Sequence, residues 1–374
     1  MPAVLLAPDK FKGTLTGAEV AASLAEGIHS RRPGTEVIAV PVADGGDGSL
    51  AAFEAAGFER VPVTASAADG RPAHTRYARR GATAAAELAE VAGLAGLHGS
   101  LAPLTATSRG LGEVIAHALD AGCTRIVVGI GGSASTDGGL GLVQALGARA
   151  RDASGADVGP GGAGAASAAT LDLSNLHGKI AQARIEIACD VDNPLTGPQG
   201  AAAVYGPQKG AGPDQVRELD AALGHWADVV AAATGHDHRA EPGAGAAGGV
   251  GFGAIAVLGA RLRPGAQLIL DQLGFAGALA RAQLVVTGEG SLDAQTLRGK
   301  APAAVAAAAR RAGVPVIGVA GRCLLDAPQL QAAGFDRVYT LLDEADTEQQ
   351  ALEEAATLLR RIGERLGDGL SDDL

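Results

Sequence analysis

Two carboxylates in a glycine-rich stretch are the first residues whose types and spacing could do chemistry. Asp44 and Asp47 lie in VADGGDGSLAAF, residues 42–53, directly after a short apolar run. Glycine adopts backbone conformations closed to other residues and lets a ligand approach the main chain closely. Carboxylates placed there supply oxygen ligands of the kind that Mg²⁺ accepts. The alternative is an ordinary glycine turn.

A second pair of carboxylates, Asp190 and Asp192, lies in CDVDNPL, residues 189–195. Residues two apart in an extended segment point to the same side. Together with Asn193 they offer the oxygen ligands that Mg²⁺ accepts alongside substrate phosphates. The same Asp-Asn-Pro composition is equally typical of a turn, and the sequence leaves both interpretations open.

Several cations lie in loops that also carry glycine. They are Lys10, Lys12, Lys209, Arg298 and Lys300. Lysine neutralises phosphate as a point charge, and arginine binds carboxylates through two parallel hydrogen bonds. One exposed lysine is uninformative, but five cations in these loops indicate an anionic substrate. The eight histidines show no H-E-x-x-H or other ligand spacing, so we predict no catalytic role for histidine.

The segment GGSASTDGG, residues 131–139, follows a convincing strand and precedes a helix. Backbone N–H groups at such a junction favour an anion, and hydroxyl groups add donors. Phosphate binding is therefore predicted for Gly132, Ser133, Ser135 and Thr136. Asp137 could cap the helix or hold a magnesium-bound water. The alternative is a tight connection that needs glycine for steric reasons alone.

Other glycine patterns carry less information. G-x-G-x-x-G occurs at residues 243–248 and 159–164, but neither stretch follows a predicted strand, so a dinucleotide site is not indicated. A Walker A pattern is missing as well. The uncharged stretch 243–260 is nearly long enough for a membrane helix, but its glycines favour a loop leading into a buried helix.

The elements that must position these residues alternate between β-branched runs and Ala/Leu-rich helical stretches, as in β-α-β units with a parallel sheet. Strands are predicted at residues 4–7, 36–42, 284–287, 314–319 and 337–341, and helices at 17–29, from 48, from 302 and at 347–366. Thr16 and Glu19 form a capping box. The loops with candidate residues follow strands, where open α/β sheets bind ligands.

The chain length predicts more than one domain. We expect a discontinuous α/β domain formed by residues 1–65 and 283–374, with an inserted α/β domain at 66–282. The composition is 47% hydrophobic but only 3% aromatic, so the core must consist mainly of Ala, Val, Leu and Ile. Three widely spaced cysteines are predicted to be buried thiols rather than a disulfide framework.

The net charge of −11 argues against binding to nucleic acid or to an acidic membrane surface. The N-terminus lacks a signal-peptide pattern, so the cytoplasm is the expected location. The sequence leaves open whether the protein is a monomer or a homodimer.

Six segments together resemble the bacterial glycerate kinase family, which phosphorylates glycerate from ATP without a P-loop. They are APDKFKGTLTG (7–17), PVADGGDGS (41–49), GGSASTDGG (131–139), CDVDNPLTGPQGA (189–201), YGPQKGA (205–211) and TGEGSLDAQT (287–296). Many relatives resemble PDSFKGS where this chain has Lys10, so Lys12 is the safer match.

The resemblance implies a two-domain α/β protein with a Rossmann-like domain made from both chain ends, an inserted α/β domain and an active site in the cleft. It also implies ATP and glycerate as substrates, Mg²⁺ as cofactor and, as the favoured product, the 2-phosphate. The alternatives are an NAD-dependent hydroxy-acid oxidoreductase and a non-catalytic glycerate or phosphate sensor.

Roles follow as expectations from the resemblance and the residue types. Asp44 is the candidate base, and Asp190 and Asp192 help to bind Mg²⁺. Lys12 and Lys209, with Lys10, neutralise phosphate charge. Asp47 contacts the substrate, and Arg298 or Lys300 holds its carboxylate.

Overall fold

The computed structural model describes residues 3–97, 99 and 101–370, with the backbone alone for Arg298. Strands and helices alternate along the chain, as the sequence pattern predicts. The strands are β1 (Ala3–Pro8), β2 (Glu36–Ala39), β3 (Glu59–Ser66), β4 (Pro72–Arg80), β5 (Thr83–Glu87), β6 (Arg125–Gly129), β7 (Arg149–Arg151), β8 (Thr170–Asp172), β9 (Arg184–Ala188), β10 (Arg261–Arg263), β11 (Leu284–Leu292), β12 (Val316–Cys323) and β13 (Arg337–Thr340).

The helices lie between these strands and at the C-terminal end. They are α1 (Gly17–Arg31), α2 (Ser49–Ala55), α3 (Ala89–Ala92), α4 (Arg109–Asp120), α5 (Leu140–Ala145), α6 (Gly161–Ser167), α7 (Ala201–Tyr205), α8 (Pro213–Thr234), α9 (Ala246–Leu258), α10 (Gly265–Leu273), α11 (Phe275–Leu279), α12 (Ala301–Arg311), α13 (Ala327–Ala333), α14 (Glu348–Glu353) and α15 (Ala355–Gly369). No helix in the described ranges combines the length and apolar composition needed to span a bilayer.

The chain divides into two compact units. The first unit comprises residues 1–44, 51–57 and 264–374, and the second comprises 45–50 and 58–263. The predicted boundaries at 65 and 282 differ from this division. β3 pairs along its length with β4 and so belongs to the second unit. Helices α10 and α11 belong to the first unit, which moves the later boundary toward the N-terminus.

The first unit contains a five-stranded parallel sheet in the order β13-β12-β11-β1-β2. The register pairs Val4 with Leu284, so the first strand of the chain adjoins a strand made more than two hundred residues later. The strand-end loops therefore meet at one edge of the sheet, which is where the candidate residues of this unit lie.

One face of this sheet is covered by α1 and α15. The capping box at Thr16 and Glu19 is present and starts α1, as predicted. A side chain at Gly27 of α1 would overlap the carbonyl oxygen of Arg360, and one at Gly363 would overlap that of Leu24. These glycines let the two helices pack backbone to backbone around buried Leu and Ile side chains.

The second unit contains a six-stranded sheet in the order β10-β9-β6-β5-β4-β3. Its first four strands are parallel, whereas β4 and β3 run antiparallel to their neighbours. A separate antiparallel pair joins β7 and β8. Trp226, Tyr77 and Phe252 are the largest fully buried side chains here. As predicted, the glycine stretch from 243 leads into a largely buried helix, α9.

Several local expectations differ from the structure. β11 continues through the Gly-Glu-Gly-Ser segment that looked like a loop, because Ser291 and Leu292 still pair with β12. The single C-terminal helix is interrupted at Glu354, between α14 and α15. Of the three cysteines only Cys123 is buried, while Cys189 and Cys323 are partly exposed.

Candidate functional site

Three neighbouring strands of the first sheet bring acidic side chains to its carboxyl edge. β1 is followed by Asp9, the chain after β2 reaches Asp44, and β11 carries Glu289. We call these three residues the strand-end acidic group. Asp9 N donates to Gly288 O at 2.8 Å, and the residue is buried. Burial first, and then the charge of Asp44, raise the pKa of Asp9 to about 7. A carboxyl group that titrates near neutrality suits proton transfer.

Lys300 lies against this group. Its Nζ donates to Glu289 Oε2 at 3.0 Å, and Thr296 Oγ1 donates to Glu289 Oε1 at 2.7 Å. Partial burial acts to lower the pKa of Lys300, but the hydrogen bond and the charge of Glu289 outweigh it and raise that pKa. Among the described residues Lys300 Nζ makes this one hydrogen bond, which leaves two of its three ammonium donors for a ligand. The side chain of Arg298 lies outside the described part of the structure.

The two lysines after β1 have different surroundings. Lys10 N donates to Asp9 Oδ1 at 2.6 Å, which ties this turn to the strand-end acidic group. Lys12 is exposed and lines a cavity of about 290 Å³ at the carboxyl ends of β11, β12 and β13. Its lining combines two cations and one acid, Lys12, Arg322 and Glu348, with apolar side chains that include Phe11, Leu341, Leu342 and Leu352. We call it the strand-end cavity.

In the second unit, the 131–139 loop connects β6 to α5. Asp137 in this loop is fully buried. It accepts hydrogen bonds from Ser108 N and Oγ, both at 2.8 Å, and from Gly139 N and Gly141 N at 3.0 and 3.2 Å. Ser108 immediately precedes α4. Asp137 therefore caps the start of α5 and joins it to the start of α4, so it is fully engaged within the protein.

Lys209 lies behind this loop. Lys209 is 2% exposed, and its ammonium donates to Ser133 Oγ at 2.8 Å and to Ser135 O at 2.5 Å. Burial lowers the pKa of Lys209 to about 7. Gly132 is exposed, whereas the hydroxyl oxygens of Ser135 and Thr136 are buried and lack a hydrogen-bond partner within the described ranges. Of the predicted phosphate ligands, Lys209, Ser135 and Thr136 are therefore buried, whereas Gly132 is exposed.

The loop after β9 presents Asp190 and Asp192, and both residues are exposed. Asn193 is already engaged, because its Nδ2 donates to Gln199 O at 2.8 Å and its Oδ1 accepts from Tyr205 Oη at 2.7 Å. No group of three possible metal ligands within the described residues includes Asp190 or Asp192. Exposed carboxylates of this kind fit Mg²⁺ that is shared with substrate phosphates.

The two carboxylates of the VADGGDGS segment fall in different units, Asp44 in the first and Asp47 in the second. Asp47 is exposed, and its loop is fastened to β5 by Glu87. Gly48 N and Leu50 N donate to the two Glu87 carboxylate oxygens at 3.0 and 2.9 Å. Burial raises the pKa of Glu87 to about 7.

Comparison with known proteins places the chain in a family. The profile of the glycerate kinase family matches residues 4–371. The chain belongs to the glycerate kinase family. It is 40% identical to a glycerate kinase from Bacillus subtilis over 366 residues, which cover 96% of this chain and 95% of that protein. It is also 40% identical to a glycerate 2-kinase from Escherichia coli over 362 residues, 93% of this chain and 92% of that one.

A solved structure extends the likeness to the fold. A crystal structure of a glycerate kinase homologue from Salmonella typhimurium LT2 superposes with a TM-score of 0.88 at 41% identity, covering 98% of this chain and 97% of that one. The mixed α/β fold and the kinase class predicted from the six sequence segments are thereby confirmed. Membership of this family favours a kinase over the oxidoreductase and the sensor that the sequence left open.

Sequence reasoning missed three acidic residues of this family member. Asp9 and Glu289 lie inside segments that carried the resemblance, but neither received a role. Glu87 had no motif at all. The only signal was position, since Asp9 directly follows β1 and Glu87 is the last residue of β5. Acidic residues at strand ends beside glycine loops are therefore candidate site residues.

Glu87 should make the stability of the second unit depend on pH. The pKa of this acid is raised in the folded state, so its stabilising contribution is present below the unfolded value near 4.5 and is lost as the pH rises through about 7. Between about pH 5 and pH 7.5, the free energy of unfolding should fall in the unmodified protein. In Glu87→Gln this fall should be smaller by roughly 1–3 kcal/mol.

Urea unfolding at both pH values measures this difference. The amide substitution also weakens a hydrogen bond. That effect is the same at both pH values, so it cancels when the change in unfolding free energy with pH is compared. Glu59→Gln, at an exposed position of β3, serves as the control and should keep the original pH dependence. Equal pH dependence in Glu87→Gln and the unmodified protein would contradict the prediction.

Proposed function

We propose that the protein transfers the γ-phosphoryl group of ATP to a hydroxyl group of D-glycerate, using Mg²⁺ and forming 2-phosphoglycerate. The observation that carries this proposal is the strand-end acidic group with Lys300, because it combines candidate bases with a cation for an anionic substrate. Family membership supports glycerate phosphorylation, and one relative is named a glycerate 2-kinase. A cytoplasmic location remains a prediction from the sequence.

The acceptor chemistry is assigned to the first unit. Asp44 is the proposed base that accepts the proton of the attacking hydroxyl, and Asp9 supports it as a neighbouring carboxyl group with a pKa near 7. Lys300, oriented by Glu289, retains donors for the glycerate carboxylate, and Arg298 is its proposed partner. Asp47 is the proposed substrate contact in the second unit.

The strand-end cavity supports the assignment of a nucleotide as the donor. Lys12 and Arg322 supply positive charge for a polyphosphate, while Leu341, Leu342 and Leu352 supply apolar surface for a base. Arg322 Nε donates to Ser291 Oγ at 3.3 Å, which holds it at this position. Open α/β sheets bind ligands outside the carboxyl ends of their strands, and this cavity has that location. Lys10 is the proposed second lysine for phosphate charge.

The 131–139 loop is the proposed phosphate contact of the second unit. Gly132 is exposed there, and Ser133 carries the hydroxyl that Lys209 orients. Lys209 acts in this proposal as the cation that supports the loop from behind, and Ser135 and Thr136 belong to its enclosed side. Asp190 and Asp192 would hold Mg²⁺. When bound, the ion neutralises phosphate charge.

The first test is ADP release by the purified protein with Mg·ATP and D-glycerate, with the product offered to enolase in the absence of phosphoglycerate mutase. ADP release with enolase turnover is the expected result. A requirement for the mutase would move phosphorylation to the 3-hydroxyl. Absence of glycerate-dependent ADP release would overturn the proposal.

Arg322→Ala should raise the KM for ATP roughly tenfold and leave turnover within about twofold, because one charged contact to the donor is lost. Steady-state kinetics with varied ATP at saturating glycerate measures both constants. Arg311→Ala, at an exposed position of α12, is the matched control and should change neither. An unchanged KM for ATP in Arg322→Ala would contradict the proposal that the nucleotide binds in the strand-end cavity.

A further inference from the structure

A cluster of possible metal ligands lies in the second unit, in the loop between α8 and α9. His236, His238 and Glu241 each offer one ligand atom, and these atoms all lie within 4.8 Å of one another. Among the described residues this is the one group of three such side chains. None of the roles assigned above to the kinase reaction uses it.

The side chains of this cluster already face one another. His238 Nδ1 and Glu241 Oε1 are 2.5 Å apart. The rings of His236 and His238 meet edge to face, with centroids 4.5 Å apart. The His238 side chain is 20% exposed, that of Glu241 is 44% exposed and His236 is exposed, so an ion from solvent can reach the cluster. Small side-chain rotations would let three ligands converge on a cation at the usual bond lengths of about 2.0–2.2 Å.

Contacts that do not involve the three ligands hold the loop in place. Gly235 ends α8 with a φ of 81°. Arg239 N and Nε both donate to Asp237 Oδ1, at 3.0 and 2.9 Å, and its guanidinium also pairs with Asp228. Leu195 N donates to Arg239 O at 2.8 Å. A ligand set presented by a loop that is already ordered loses little conformational freedom when it binds an ion.

The ligand types select a class of metal. Two imidazoles and one carboxylate suit Zn²⁺ and its neighbours Co²⁺, Ni²⁺ and Cu²⁺, whereas Mg²⁺ and Ca²⁺ prefer sites made of oxygen alone. Arg239 lies between two ligands in sequence, but its charge is balanced by Asp228 and Asp237. Three protein ligands leave a fourth position for water or another small ligand.

We propose that His236, His238 and Glu241 form a binding site for a zinc-class divalent cation, separate from the magnesium of the phosphoryl transfer. The spacing H-x-H-x-x-E matches no standard motif, which is why sequence reasoning passed over it. The turn at 238–241, closed by Glu241 N donating to His238 O at 3.1 Å, brings the carboxylate back to the imidazoles.

The test is a titration of the untagged full-length protein, freed of metal with a chelator, in millimolar Mg²⁺. Binding of Co²⁺ is followed by its visible absorption, and the affinity for Zn²⁺ by competition with a chromophoric chelator. We expect one equivalent bound and a Zn²⁺ affinity that falls at least about tenfold in His236→Asn and in Glu241→Gln. Loss of an outer-sphere partner alone costs about 10- to 100-fold, so loss of a ligand should cost no less.

His74→Asn provides the matched control, since His74 is an exposed histidine of the same unit on β4. It should bind Zn²⁺ as the unmodified protein does. Thermal unfolding with and without Zn²⁺ gives an independent readout, because a ligand that binds the folded state raises the Tm, and Glu241→Gln should lose most of that increase. Equal Zn²⁺ affinity in the unmodified protein and both variants, or complete displacement by Mg²⁺, would overturn the proposal.

Discussion

Asp137→Ala should lower the free energy of unfolding of the second unit by about 3–5 kcal/mol. The Asp137 carboxylate accepts four hydrogen bonds without any exposure to solvent. Alanine leaves the backbone donors of Gly139 and Gly141 unpaired, together with both donors of Ser108. Each buried donor left without a partner costs about 1–3 kcal/mol, although water entering the space would recover part of this.

Urea unfolding followed by Trp226 fluorescence measures the loss, since this buried indole Nε1 donates to Gly138 O in the same loop. The control is Asp152→Ala, because Asp152 accepts several local hydrogen bonds in a surface turn. We expect that control to change stability by less than about 1 kcal/mol. An equally small change in Asp137→Ala would show that water replaces the carboxylate at little cost.

Asp44→Asn should reduce turnover by more than about tenfold, and a loss near 100-fold is expected if proton transfer limits the reaction. The amide keeps the volume of the side chain but cannot accept the proton of the attacking hydroxyl. Because Asp44 also contributes to the raised pKa of Asp9, the substitution should lower the pKa of Asp9 as well. Asp9 would then ionise more readily.

Steady-state kinetics with varied glycerate distinguishes this role from substrate binding. Removal of a base lowers kcat with little change in KM, whereas removal of a binding residue mainly raises KM. Asp346→Asn, at an exposed position of the same unit, is the control. Turnover within about twofold of normal in a folded Asp44→Asn protein would contradict the assignment of Asp44 as base.

Much of the fold could be predicted from local sequence patterns. The capping box at Thr16, the strand at the N-terminus and the C-terminal strands follow from side-chain types within a few residues. The prediction weakened where pairing decides the outcome. β11 extends through glycine and serine because β12 lies beside it, and no local pattern in that segment indicates a strand.

The site was harder to predict because burial and partner choice depend on residues far apart in sequence. Lys209 looks like a loop lysine, yet it is enclosed because Ser133 and Ser135, more than seventy residues earlier, provide its hydrogen bonds. From the sequence alone, Glu87 is only an acidic residue at the end of a predicted strand. Its function as an anchor appears when the backbone donors of Gly48 and Leu50 are placed against it.

The central position of β1 beside β11 has a consequence for how the protein is made on the ribosome. β1 and α1 emerge well before the strand and the helix they pack against, β11 and α15. At about 5–20 residues per second, the interval is on the order of fifteen to seventy seconds. Until then, the apolar surface that β11 and α15 cover in the folded protein stays exposed to non-native contacts.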